Sequence, residues 1–210
     1  PGLGVGSAVF GDNSDLLVEV AKLWLKSDDI VVDATYGQGT FWKQLPGLPT
    51  HAHDIATDGV DLRHLPYEDD SIDVLVLDPP YRPSHGSTLV TPSYAKFAGR
   101  YGLTSALDSI QAVIDLYVAG FIEARRVLKT GGRLWVKCQD SSYSNRLHLV
   151  HLDLYRHMKA TGLPLVDMFV LFGGCGITST QWKDQQRARR THSYMLVGVK
   201  EAVPTDPRPT

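Results

Sequence analysis

The sequence is poor in cysteine, in long apolar runs and in net charge. Only two cysteines, Cys138 and Cys175, occur in 210 residues, which is too few for a disulfide framework and favours a reduced, intracellular, cytoplasmic protein. No apolar run approaches the roughly 20 residues of a membrane span, so we expect no membrane contact. The net charge of -2 provides no overall field for a polyanion. Nucleic acid would therefore have to be bound by local basic patches.

The chain ends carry few signals. No charged segment leads into an apolar stretch after Pro1, so we expect no signal peptide, and a first residue of proline indicates a trimmed chain. Residues 204–210 are polar and rich in proline, which is typical of a disordered tail. No linker divides the remainder, and we expect a single domain over residues 1–203.

Signatures of several enzyme classes are also missing. There are eight histidines, but no cysteine or carboxylate completes a recognisable metal-ligand set, so we expect no metal. Serine and cysteine nucleophile motifs are absent. Gly37-Gln38-Gly39 is not extended to the G-x-G-x-x-G fingerprint of a pyrophosphate site.

Strand-like and helix-like patterns alternate along the chain. This alternation predicts an α/β fold with a mainly parallel sheet covered by helices on both faces. The last two strands have no helical pattern between them and are expected to form an antiparallel pair at one edge. We expect strands at 30–32, 51–55, 60–62, 72–77, 133–137, 165–172 and 192–200, and helices at 15–26, from Thr40, at 106–128 and at 147–160.

Four aspartates, Asp33, Asp54, Asp61 and Asp78, each follow one of the first four predicted strands. Ligands of such sheets bind beyond the carboxyl ends of the strands, where these side chains would converge. An acid before the turn at 37–39 disfavours a phosphate and suits a cationic amino acid or a hydroxyl. Asp54 is placed to accept hydrogen bonds from ribose hydroxyls and Asp61 from an adenine amino group. Either residue taken alone is more often a solvated loop carboxylate.

The most specific motif is Asp78-Pro79-Pro80-Tyr81, directly after the apolar run Ile72–Leu77. Two prolines fix the backbone where a central strand must stop. The Asp78 carboxylate and the Pro79 carbonyl are suited to accept both N–H bonds of an aryl amine. That would localise the nitrogen lone pair and stabilise the charge that develops when the nitrogen is alkylated. Tyr81 is suited to stack on the ring.

Residues 33–41 and 77–81, with 61–67 between them, resemble the amino-methyltransferases that use S-adenosylmethionine (SAM), especially N6-adenine DNA methyltransferases. The resemblance covers most of 7–140 and includes 190–194. It implies a Rossmann-like class I fold with a seven-stranded sheet and an antiparallel last strand. It implies SAM as cofactor and Asp78 to Tyr81 as the catalytic motif. The cofactor residues that it implies are Asp33, Thr35, Tyr36, Gly37, Gly39, Thr40, Phe41, Asp54, Asp61, Leu62 and Asp78.

Two departures concern the substrate. Ala34-Thr35 stands where many DNA enzymes of this family have Pro-Phe, and a threonine there also resembles several RNA methyltransferases. A separate target-recognition region is not found, and only the loops 82–105 and 173–191 combine basic and aromatic residues suited to phosphate contact and base stacking. The expected substrate contacts are Arg82, Lys96, Arg100, Trp182, Lys183, Arg187, Arg189 and Arg190.

Adenine N6 in DNA is the first expectation for the methylated atom. Cytosine N4 in DNA, or adenine N6 or guanine N2 in RNA, would be served by the same chemistry. A non-catalytic subunit of a methyltransferase complex is the alternative of a different class, and it predicts little or no SAM binding.

Overall fold

The computed structural model describes residues 4–81, 109–144, 146–173, 188 and 190–202. In these ranges the chain forms the predicted α/β fold. The strands are β1 (Ala8–Phe10), β2 (Val31–Asp33), β3 (His51–Ala52), β4 (Ile72–Leu77), β5 (Leu128–Cys138), β6 (Ser141–Tyr143), β7 (Arg146–His148), β8 (Leu165–Phe172) and β9 (His192–Val199). The helices are α1 (Asn13–Trp24), α2 (Ile110–Val127) and α3 (Val150–Ala160).

Seven strands form one sheet in the order β1-β8-β9-β5-β4-β2-β3. The β1–β8, β2–β3, β2–β4 and β4–β5 pairs are parallel, and β9 runs antiparallel to both β5 and β8. The mainly parallel sheet and the antiparallel last strand are thus confirmed. The carboxyl ends of β2, β4, β5 and β8 and the start of β9 share one rim.

The seven strands differ from the predicted set in two places. Residues 60–62 form no strand, and only a single bridge joins Asp61 to His64. Leu62 is instead buried in the core. It is apolar because it packs against α2, and not because it belongs to a strand. The seventh strand is β1, which pairs with β8 and moves the β8–β9 pair away from the sheet edge.

Helix α1 runs from Asn13 to Trp24 and not over 15–26, and two other helical segments differ more from expectation. The segment from Thr40 is one turn of 3₁₀ helix ending at Trp42, because both Phe41 and Trp42 turn into the core. The helix expected from residue 147 begins at Val150, since residues 146–148 pair with β6 in a two-stranded hairpin. The expected disordered tail 204–210 lies outside the described residues.

The sheet has an apolar core on each face. On β4, Leu75 and Leu77 face α2 and α3, whereas Val74 and Val76 face α1. This alternation is what a strand covered on both sides requires. No helix in the described ranges is long and apolar enough to cross a membrane.

Helix α2 holds the segment that replaces the expected third strand. Glu123 Oε1 accepts the Leu65 N–H at 2.7 Å. Arg126 donates to the carbonyls of Leu65 and Tyr67, at 3.0 and 2.7 Å, and pairs with Glu123. Three backbone groups just after residues 60–62 are therefore satisfied by side chains of a helix, without a neighbouring strand.

We expect Arg126→Ala to destabilise the fold by about 1–2 kcal/mol, because two backbone carbonyls lose their donors. Amide hydrogen exchange over 61–69 should rise more than exchange over β4. The control is Arg156→Ala, which removes an exposed ion pair with Asp153 and should change stability by less than about 0.5 kcal/mol. Equal effects of the two substitutions would contradict the assigned role of Arg126.

Candidate active site

Asp33, the last residue of β2, is buried and surrounded by donors. Its Oδ2 accepts the Trp42 indole N–H at 2.7 Å, and its Oδ1 accepts the Thr35 N–H at 2.8 Å and the Thr35 hydroxyl at 3.2 Å. Burial raises the pKa of Asp33 to about 6, against these hydrogen bonds. Asp33 therefore organises the loop after β2 from within.

The loop after β2 turns at two glycines in the left-handed region, Gly37 with φ 56° and Gly39 with φ 69°. A Cβ at Gly39 would meet the Tyr36 hydroxyl, so that the Tyr36 side chain would have to move, and the positive φ itself favours glycine there. At Gly37 the space is open, and its N–H donates to Asp54 Oδ2 at 3.1 Å.

A narrow cleft opens beside this loop. Asp54 is buried and also accepts the Ala56 N–H, whereas Asp61 forms a two-pronged pair with Arg63, with Nη2 at 2.5 Å from Oδ2. The pKa of Asp61 is below its ordinary value: burial acts to raise it, but the hydrogen bonds from Arg63 together lower it by more. The cleft is lined by Ala34, Thr35, Asp54, Ile55, Val60, Asp61, Leu62 and Leu116.

The motif Asp78–Tyr81 leaves β4 on the same rim as this loop. The Asp78 N–H donates to the Thr35 hydroxyl at 2.7 Å. Pro79 and Pro80 are buried. The Tyr117 hydroxyl of α2 donates to the Lys137 carbonyl at 2.7 Å and lies 3.4 Å from the Pro79 carbonyl. Because the shorter bond takes most of the hydroxyl proton, the Pro79 carbonyl keeps capacity for a further donor.

Asp78 is half-buried as a residue, but its Oδ1 is shielded from solvent and has no hydrogen-bond partner among the described residues. Burial raises its pKa to about 7; the charge of Lys137 opposes the increase and that of Asp33 adds to it. A buried acceptor without a donor costs free energy. An acceptor of this kind is expected in a site where a ligand supplies the missing N–H donor.

Lys137 is a site residue that the sequence patterns did not single out. It is 2% exposed at the end of β5, next to the end of β4. Its Nζ lies 5.9 Å from the ring centre of Phe41 and 5.8 Å from that of Tyr81. A lysine within Leu134-Trp135-Val136-Lys137-Cys138 was a usable signal, since a charge at the end of a buried strand faces the ligand rim.

A row of rings continues the rim beyond β5. Tyr194 stacks on His151 at 4.3 Å and meets His192 edge-on. Phe172 lies between His192 and Phe10, with ring centres 6.1 and 5.3 Å away. Phe10 is 78% exposed. Sequence reasoning missed this row because its members come from four separate elements.

The structure brings most of the sequence-predicted residues together on the rim and leaves others undescribed. Of the expected substrate contacts, Arg190 is described, and its Nη2 donates to the Ala188 carbonyl at 2.9 Å. Asp33, Thr35, Tyr36, Gly37, Gly39, Thr40, Phe41, Asp54, Asp61, Leu62 and the motif 78–81 all lie on or beside the loop, the cleft and the end of β4. The other expected substrate contacts lie outside the described residues: Arg82, Lys96, Arg100, Trp182, Lys183, Arg187 and Arg189.

No family model and no curated protein matches the sequence. Among solved structures, a SAM-dependent methyltransferase of Methanosarcina mazei aligns over 87% of this chain and 97% of its own, with 11% identity and a TM-score of 0.53. The [4+2]-cyclase SpnF aligns over 90% of this chain and 81% of its own, with 14% identity and a TM-score of 0.53. The chain thus has the Rossmann-like fold of SAM-dependent methyltransferases. Since a cyclase shares the fold, the reaction must be argued from the side chains of the site.

A proposed DNA modification methylase of Thermus thermophilus aligns over 70% of this chain, with 17% identity and a TM-score of 0.45. This chain spans about half of that protein, 53% of its length.

We expect Asp78→Asn to stabilise the folded protein at pH 8 and to have less effect at pH 5. The folded pKa of about 7 exceeds the ordinary value of 3.8, so the stability that the neutral carboxyl gives is full below about pH 4 and is lost as pH rises through 7. The asparagine carries no such charge. The gain at pH 8 should be about 1 kcal/mol or more.

Urea denaturation of both proteins at the two pH values measures this difference. The control is Asp28→Asn on the exposed surface, which should change stability little at either pH. A gain from Asp78→Asn that is the same at pH 5 and pH 8 would contradict the burial of an ionisable Asp78.

Proposed function

We propose that this chain transfers the methyl group of SAM to the exocyclic amino nitrogen of a nucleobase, with adenine N6 in DNA as the first candidate. The observation that carries the proposal is the buried Oδ1 of Asp78, which has no partner among the described residues. It lies on a backbone fixed by two buried prolines beside Tyr81. An amino N–H is the donor that such an acceptor lacks.

The residues around the cleft fit SAM. The apolar lining of Ala34, Ile55, Val60, Leu62 and Leu116 suits a planar base, and the buried carboxylate of Asp54 beside it suits ribose hydroxyls. When bound, SAM would supply an electrophilic methyl group.

The methionine part of SAM would lie along the loop after β2, where two glycines leave the backbone open. The residues expected to hold it are Asp33 at the end of β2 and, in the loop, Thr35, Tyr36, Gly37, Gly39, Thr40 and Phe41. Asp61 would reach the adenine amino group of SAM only alongside Arg63, because Arg63 already occupies both carboxylate oxygens.

The chemistry that the chain itself performs is to hold an amine and to take its proton. Asp78 Oδ1 and the Pro79 carbonyl accept the two N–H bonds, which turns the nitrogen lone pair away from conjugation with the ring. The nitrogen must lose one proton once it has gained a carbon. A carboxylate whose pKa is about 7 is well matched to accept that proton near neutral pH. Tyr81 supports the base by stacking.

The choice of a nucleic acid rests on the rim beyond the site. Phe172 ends β8, which lies three strands from β4 across the sheet. At about 4.8 Å per strand, Phe172 is roughly 14 Å from the end of β4. The exposed Phe10 stacks on Phe172. Exposed rings at that distance suit the bases next to a target nucleotide. In a duplex the target base would have to leave the stack.

The test of this function is incubation with SAM and with DNA or RNA in parallel, followed by digestion and mass analysis of the nucleosides. N6-methyladenine from DNA alone is the expected product. Methylcytosine, or products from RNA alone, would contradict the assignment to adenine in DNA while leaving the amine chemistry intact. No product together with no SAM binding by calorimetry would favour the non-catalytic subunit.

Asp78→Ala should abolish turnover while SAM affinity stays within about threefold, because Asp78 would hold the amine. Asp153→Ala is a suitable comparison, since Asp153 is a carboxylate on the surface of α3 paired with the exposed Arg156 and should leave the rate of methyl transfer largely intact. Turnover that survives in Asp78→Ala would overturn the catalytic assignment.

The rate of methyl transfer should fall below pH 7. Only the ionised Asp78 accepts an amine N–H without a proton of its own, so protonation near pH 7 should remove activity about tenfold per pH unit on the acid side. Steady-state rates between pH 5 and 9 at saturating SAM measure this. A profile that is flat down to pH 5 would show that Asp78 does not have to be ionised.

A further inference from the structure

Lys137 occupies a position between the two halves of the site. Its ammonium lies near Phe41 of the loop after β2 and near Tyr81 of the motif after β4, at 5.9 and 5.8 Å from the ring centres. The residue is 2% exposed. Its backbone carbonyl is held by the Tyr117 hydroxyl, which fixes the end of β5 from which the side chain extends.

A buried ammonium is costly unless charges or dipoles compensate for it. Among the described residues no carboxylate lies within 4 Å of Lys137, in contrast to Lys200, a second buried lysine that pairs with Asp70 at 2.6 Å. The compensation for Lys137 comes from two ring faces and from the acidic groups of the rim. Nothing in the packing of β5 requires a charge at this position.

Leu77 of β4 pairs with Val136 of β5, so Asp78 and Lys137 are the next residues along two adjacent parallel strands. The charged and titratable groups near Asp78 come from three elements. Asp33 lies on β2, Lys137 and Cys138 lie on β5, and the Tyr117 hydroxyl of α2 approaches the neighbouring Pro79 carbonyl. Of these described groups only Lys137 is cationic. It opposes both the burial of Asp78 and the negative charge of Asp33.

We propose that Lys137 is a positioning residue that favours the ionised, hydrogen-bond-accepting form of Asp78 and fixes the ring of Tyr81 for stacking. The inference rests on the proposed function, because it assigns Lys137 a part in holding the amine. Lys137 acts through Asp78 and Tyr81 and has no contact of its own with the reacting nitrogen. The effect of its charge on the pKa of Asp78, which burial raises and Lys137 lowers, agrees with this geometry.

The experiment compares the full chain with Lys137→Met, Lys137→Arg and Lys200→Met. The first substitution removes the charge at similar side-chain length, the second keeps a charge that does not dissociate, and the third removes a buried lysine at the opposite end of the sheet. The direct readout is the titration of the Asp78 carboxyl carbon by ¹³C NMR, with Asp78→Asn assigning the signal. The second readout is the pH profile of methyl transfer.

In Lys137→Met we expect the Asp78 midpoint to move up by about one pH unit or more. The rate at pH 7 should fall about fivefold or more and recover toward pH 9, with SAM affinity within about threefold. Lys137→Arg should restore the midpoint and most of the rate. Lys200→Met should lower the melting temperature and leave the Asp78 midpoint unchanged.

Two results would overturn the proposal. One is an Asp78 midpoint that stays in place in Lys137→Met or moves equally in Lys200→Met. The other is a loss of rate in Lys137→Arg equal to that in Lys137→Met, which would make Lys137 a proton acceptor instead. If Lys137→Met does not fold, Lys137→Gln is titrated in the same way.

The titration needs no substrate, so it separates this proposal from the proposed function. A shifted Asp78 midpoint in a protein that methylates no nucleic acid would leave the Lys137–Asp78 coupling standing and refute the reaction. An unshifted midpoint in an active enzyme would refute the Lys137–Asp78 coupling and leave the proposed reaction standing.

Discussion

The hydroxyl of Thr35 accepts the Asp78 N–H at 2.7 Å and donates to Asp33 at 3.2 Å. Through these two bonds the loop after β2 and the motif after β4 form one unit, although 43 residues separate Thr35 from Asp78 in the chain. The position of the motif therefore depends on a side chain of the proposed cofactor loop. The resemblance to DNA enzymes is imperfect at Thr35, and the structure gives the threonine there a role that phenylalanine lacks: it is the acceptor for the backbone of the motif.

The carboxylates of Asp33 and Asp78 differ in how their charge is compensated. Asp33 receives three hydrogen bonds from Thr35 and Trp42, whereas Asp78 Oδ1 receives none from the described residues. Asp33 is thus a structural group that shapes a loop, whereas under the proposed function the amine would supply the donor that Asp78 Oδ1 lacks. Folding free energy is given up at Asp78 for an acceptor that is already in place.

The sequence patterns predicted the sheet, its antiparallel last strand and the clustering of Asp33, Asp54 and Asp78, because strand direction and strand ends follow from periodicity and prolines. They failed at residues 60–62 and 8–10, where short apolar groups are indistinguishable as strand or as helix contact. Lys137 and the row of rings depend on register between distant strands, such as Leu77 beside Val136. Such pairings are not readable along a single chain without knowing which strands are neighbours.

The pairing of β1 with β8 joins residues 8–10 to residues 170–172. During synthesis β1 must therefore wait until β8, far along the chain, has been made. The rest of the rim, from β2 to β5, is assembled from segments that lie closer together in the chain. Because contacts between distant segments form late, the outer edge that carries Phe10 and Phe172 should be the last part of the rim to form and the first to fray, while the cleft and the Asp78 motif belong to the part that forms earlier.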